Sequence, residues 1–226
     1  MKQQMGTKDK EAVLTLYSRL MDELKQRSML LSQLASGTLN FAIIPNFELC
    51  QLQIRLICEI FALACLTAHG DIPDVKSAMM QKEYNAEKII GKLGRLHPNF
   101  YPVPHKKDVS PDAVLGALPA RFHLTPIEGS EYLTKDQLIR TYNECGNYLH
   151  RGSVRRLLSK WHPDIDLKKI FDWNQRLGTL LAPYHYIQLI GGKGYILCVM
   201  NNVDDNNKVQ VAYAEPLHPL GIPVSR

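Results

Sequence analysis

The chain has 226 residues, of which 45% are hydrophobic and 22% charged, with a formal net charge of +5. That length supports a sizeable core, and the balance is that of an ordinary soluble globular protein. The longest apolar run, 54–66, is broken by Arg55 and Glu59 and falls short of the ~20 residues of a membrane span; the N-terminus lacks the apolar core of a signal peptide, so a cytoplasmic protein without membrane association is expected.

Residues 10–35 place Val13, Leu14, Tyr17, Leu20, Met21 and Leu24 on a helical period, which predicts a long amphipathic helix. Gly37 and Pro45 punctuate a short connection. Residues 47–69 then read as a helix that is apolar nearly all round but carries one polar seam. At about 100° per residue, Glu48, Gln51, Glu59 and His69 fall within roughly 40° of Arg55. A helix this apolar should be surrounded by protein, so Arg55 and Glu59, four residues apart, are either a partly buried ion pair or the floor of a site.

A third helix is expected from Pro73–Asp74 to about Arg95, with Val75, Met79, Ile89, Ile90 and Leu93 as its apolar face. Six of the thirteen prolines lie between 98 and 126, a stretch that reads as a long excursion with one helical turn at 111–118. A fourth helix opens at Thr134, where Thr134 and Gln137 have capping-box spacing, and runs to about His150. Further helices are expected at 153–161 and 166–181, with Asp164 or Asp166 as the cap of the latter. After Pro183 the period becomes two: 186–190 and 195–200 flank Gly-Gly-Lys-Gly as a hairpin, and 208–214 supplies a candidate third strand. The fold class is therefore mainly α, a helical bundle over 1–182 with the Pro-rich excursion at 98–126, followed by a small antiparallel β appendage at 183–226.

Five cysteines (Cys50, Cys58, Cys65, Cys145, Cys198) include no C-x-x-C pair, so they read as buried thiols, and neither a metal site nor a cofactor is expected. Arg151, Arg155, Arg156 and Lys160 recur with no acid between them and with Trp161 and His162 following, a local positive field suited to phosphates. In the fourth helix Leu138, Tyr142, Cys145 and Leu149 form the core stripe, while Arg140, Asn143, Asn147 and His150 cluster on nearly the opposite side. Ile139 and Gly146 flank that polar stripe, a pairing that would admit a second helix at a subunit interface.

Arg55-x-x-x-Glu59 on the second helix and Asn147-x-x-His150 on a later one resemble the HEPN superfamily (higher eukaryotes and prokaryotes nucleotide-binding), in particular its divergent bacterial and phage-borne members. The resemblance covers roughly residues 10–160. It implies a bundle that forms a homodimer and binds or cuts RNA, as a toxin or phage-defence component with a protein antitoxin as a further partner. Active members carry Arg, four to six residues, then His; here Arg140 and His150 have nine residues between them, and Arg156 and His162 have five. A second resemblance, of residues 154–164 (VRRLLSKWHPD) to the helix and HPD tripeptide of J-domain co-chaperones, implies a chaperone partner instead.

RNA cleavage without metal needs a proton acceptor for the 2′-hydroxyl, a donor for the leaving 5′-oxygen and a cation over the phosphorane. Histidine and arginine suit these tasks, the first because its unperturbed pKa is near 6.5, the second because its charged planar fork matches phosphate. The expected catalytic set is His150, Arg55, Glu59 and Asn147, with Arg151, Arg155, Arg156, Lys160 and His162 along the substrate. The alternative is a non-enzymatic interaction protein whose Arg/Glu/His seams are structural.

Overall fold

A computed structural model describes residues 7–70, 78–109, 122–150, 164–189, 194–202 and 206–214. Helices α1 (Thr7–Ala35), α2 (Ile43–Ala68), α3 (Ala78–Gln81), α4 (Ala86–Leu96), α5 (Lys135–Leu149) and α6 (Leu167–Leu180) form the body. Five antiparallel strands, β1 (Val103–Val109), β2 (Phe122–Pro126), β3 (Tyr184–Gln188), β4 (Tyr195–Asn202) and β5 (Lys208–Ala214), form one sheet in the order β2-β1-β3-β4-β5. The mainly α class with an antiparallel sheet is as the sequence predicts, including the hairpin of β3 and β4 and the added strand β5.

Two expectations are corrected. The third helix is not continuous: residues 82–85 separate α3 from α4. Asn85 caps α4 by accepting from the Lys88 amide at 3.1 Å, and the Glu83 carboxylate accepts from the Tyr84 and Asn85 amides, so local side chains take the hydrogen bonds a through-running helix would need. The Pro-rich excursion, in turn, supplies two strands. Prolines push their neighbours toward extended backbone, which is also what a strand requires, and Pro126 falls at the end of the edge strand β2, where the missing amide disrupts nothing. The turn at 111–118 and the helix at 153–161 lie outside the described residues.

Helix α1 packs along α2 and across β4 and β5, while α2 packs on α4 and α5. Tyr17, Met21, Leu24, Leu31 and Leu34 line the buried face of α1 at three- and four-residue steps. All five cysteines are free and buried, and burial pushes their thiols up, Cys50 to about 11 and Cys58 to about 12, which makes them core groups rather than nucleophiles. Among the described residues α2 alone is long and apolar enough to cross a membrane, and 67% of the most apolar stretch is buried against the rest of the chain, as in a core helix.

The other expected elements stand. Gln137 Oε1 accepts from the Thr134 amide at 3.0 Å in a capping box at the start of α5, and Asp166 caps α6 through the Lys169 amide at 2.9 Å.

Candidate site between the second and fifth helices

The α2 seam faces α5. Arg55 Nε lies 3.3 Å from Glu59 Oε1, one turn along the same helix, with the two side chains 26% and 21% exposed. Arg55 also reaches across to Tyr142: Nη2 donates to the phenol oxygen at 2.8 Å, and the guanidinium carbon sits 4.1 Å from the ring centre. The Tyr142 hydroxyl in turn interacts electrostatically with the Glu59 carboxylate. Burial, the main cause, and the Glu59 carboxylate hold the phenol above its usual range, although Arg55 opposes the shift. Three groups on two helices thus form a closed ring of charge-assisted contacts.

Gly146 makes that ring possible. A Cβ at this position would stand 2.3 Å from Arg55 Nη1. The small residue leaves room for the guanidinium of α2 from the same chain. Gly146→Ala therefore sets two effects against each other. Alanine favours a helix interior by ~1 kcal/mol over glycine, whereas displacing Arg55 from Tyr142 and Glu59 costs about 1–3 kcal/mol. We expect Gly146→Ala to destabilise the protein by about 1 kcal/mol, yet to stabilise an Arg55→Ala variant by about as much. Urea denaturation of the four proteins of this cycle checks it, and an equal effect in both backgrounds would remove Gly146 from the ring.

The rest of the expected set divides. Asn147 and His150 are exposed at the end of α5, and among the described residues no hydrogen bond or ion pair joins either to Arg55 or Glu59. His150 nevertheless follows Gly146 by one turn, about 6 Å along the axis, and its amide donates to the Gly146 carbonyl at 3.1 Å. Arg140 is exposed, and Asn143 donates to Glu87 of α4 at 3.2 Å. Arg151, Arg155, Arg156, Lys160 and His162 lie outside the described residues.

The polar seam continues past the site. Gln51 and His69 are buried, and His69 Nδ1 donates to the Cys65 carbonyl at 2.8 Å. The Gln188 carbonyl, 3.3 Å from His69 Nε2, accepts from His97 Nε2 at 2.8 Å, which fastens the ends of α2 and α4 to β3. Tyr142 is the member of the site that helical periodicity hid, because a tyrosine on a core stripe signals packing before it signals its hydroxyl. Comparison of the chain with protein-family models, curated proteins and solved structures finds no match.

Proposed function

We propose that the protein is a cytoplasmic, HEPN-like RNA-binding protein in which Arg55 contacts a phosphate beside His150, and that this contact serves metal-independent RNA cleavage. The observation that carries the reading is the half-open position of Arg55. Its Nε, one Nη2 proton and one Nη1 proton are directed at Glu59, the Tyr142 hydroxyl and, at 3.5 Å, the Tyr142 carbonyl, but a guanidinium has five N–H donors, and its side chain remains 26% exposed against Gly146, which lies one turn before a surface histidine on α5. In the cleavage step His150 takes the proton of the 2′-hydroxyl as that oxygen bonds to phosphorus. The 5′-oxygen leaves with a proton returned to it, and Arg55 balances the charge on the phosphorane. Homodimerisation through the exposed stripe of α5, a toxin or phage-defence role, and an antitoxin or chaperone partner belong to the same proposal.

A second reading has its own support: the ring with Tyr142 is what a structural fastening between α2 and α5 looks like, and in that case the chain is a non-enzymatic interaction protein. Incubating purified wild type with total RNA beside His150→Ala and Arg55→Lys separates the two. The proposal expects wild-type cleavage, a loss of about 100-fold or more in His150→Ala, and RNA binding that falls with salt by about −0.7 per phosphate contacted. Neither binding nor cleavage by the wild type would leave the structural reading standing.

A further inference from the structure

The sheet has a second face. His185 and Ile187 of β3 and Ile196, Cys198 and Met200 of β4 are buried on the helix side, so the alternate positions turn away from it. In register across that outer face stand His105, Tyr186, Gln188 and Tyr195, with Tyr184 opposite His105 and Gln188 opposite Tyr195. His105, Tyr186, Gln188 and Tyr195, together with Tyr101, Tyr132 and Lys135, line a cavity of about 720 Å³. Its size lies within the ~300–1,000 Å³ range of small-ligand pockets.

The lining is specific in chemistry. The rings of Tyr186 and Tyr195 are 6.0 Å apart and inclined at 75°, and His105 stands edge-on to Tyr186 at 4.7 Å, which gives an aromatic corner of rings set edge to face. His105 Nδ1 lies 2.8 Å from the Val103 carbonyl. A carbonyl can only accept, so Nδ1 carries the proton and Nε2 of the neutral ring is an acceptor. Burial pushes the His105 pKa down and favours that neutral form. Gln188 adds a side-chain amide with both donor and acceptor. The cation of the lining is Lys135, the first residue of α5, where the helix adds partial positive charge.

We propose that this cavity binds a nucleobase carrying a phosphate, with the ring stacked on Tyr195 and met edge-on by Tyr186, and the phosphate at Lys135. An aromatic acid without polar ring edges would leave Gln188 and His105 Nε2 desolvated and unpaired, whereas a base offers donors and acceptors along its edge. The base belongs either to a free mononucleotide or to a single strand; both share this chemistry. The site is separate from the Arg55 ring and holds whether or not RNA is cleaved there.

Calorimetric titration of the full chain with adenosine 5′-monophosphate, adenosine and a short oligoadenylate tests it. Wild type should bind a phosphate-bearing probe, and adenosine about tenfold more weakly. Tyr195→Ala should weaken binding about tenfold or more through lost stacking. Tyr195→Phe should retain it, and Lys135→Ala should abolish the preference for phosphate. Tighter binding of the monophosphate makes the ligand a free nucleotide, and tighter binding of the oligonucleotide makes it a strand; either upholds the proposal. If circular dichroism shows Tyr195→Ala unfolded, Lys135→Ala and Tyr195→Phe decide. No binding by the wild type at millimolar probe overturns the proposal. So does wild-type affinity in Lys135→Ala with its phosphate preference intact. Binding lost in Arg55→Lys and kept unchanged in Tyr195→Ala and Lys135→Ala overturns it too, while leaving the α2–α5 reading in place.

Discussion

Arg55→Ala should lower the stability of the protein by about 2–3 kcal/mol and its melting temperature by roughly 5–10 °C. The size follows from what is left behind. Removing one partner of a fully buried pair costs ~3–5 kcal/mol, because the remaining charge is desolvated and alone. Arg55 and Glu59 keep a quarter and a fifth of their side-chain surface in contact with solvent, so water partly replaces the lost partner and trims the penalty. Against that, the substitution also removes the stacking on Tyr142 and opens a void beside Gly146. Adding Glu59→Gln to Arg55→Ala should recover part of the loss, because the stranded charge disappears with it. Arg95→Ala, on the exposed face of α4, should stay within about 0.5 kcal/mol of wild type. Thermal or urea melts of these variants measure all three. An Arg55→Ala protein as stable as Arg95→Ala would mean that α2 and α5 are held by apolar packing alone.

What could be read without coordinates follows from how far apart the interacting residues lie in the chain. The capping box of Thr134 and Gln137, the Asp166 cap, the Arg55–Glu59 spacing and the alternation around the Gly-rich turn are all local, and each stands in the structure. The strand role of 103–109 is not local, because β1 is committed to the sheet by pairing Val103 with Tyr186. Before that partner is known, His-Lys-Lys-Asp between prolines looks like solvated coil. Tyr142 and Gly146 show the same limit at the site. Their positions on α5 were plain, but a contact with a guanidinium that lies 87 residues before Tyr142 is a product of the fold. Tyr186 and Tyr195 did leave a trace, as aromatic residues on a period of two, yet the cavity also needs Tyr101, Tyr132 and Lys135, which only the closed chain brings beside them.

The other large effect expected is a pH dependence of stability carried by His185. This residue sits on the inner face of β3, 1% exposed, with Nε2 2.9 Å from the hydroxyl of the equally buried Tyr17 of α1. Nδ1 is buried without a hydrogen-bond partner among the described residues, so a ring protonated at both nitrogens would hold an N–H there with no acceptor. Desolvation, with a smaller contribution from His105 once that ring is itself protonated, pushes its pKa down to about 4. In the unfolded chain a histidine titrates near 6.5. Above about pH 7 both states are neutral at this residue and it adds no slope. As pH falls below 6.5 the unfolded state takes up the proton first, so the folded state loses stability until its own His185 protonates near pH 4. The window is worth about 3 kcal/mol in all, at ~1.4 kcal/mol per pH unit. His185→Gln keeps an acceptor for the Tyr17 hydroxyl but cannot titrate. Carboxylates weaken both proteins alike in this range, so the difference between the two urea-denaturation series isolates the histidine. Between pH 7.5 and 4.5 the wild type should lose about 2–3 kcal/mol more than His185→Gln. Parallel curves would show that the imidazolium is accommodated, and that the contact between Tyr17 and His185 tolerates a charge inside the α1–sheet core.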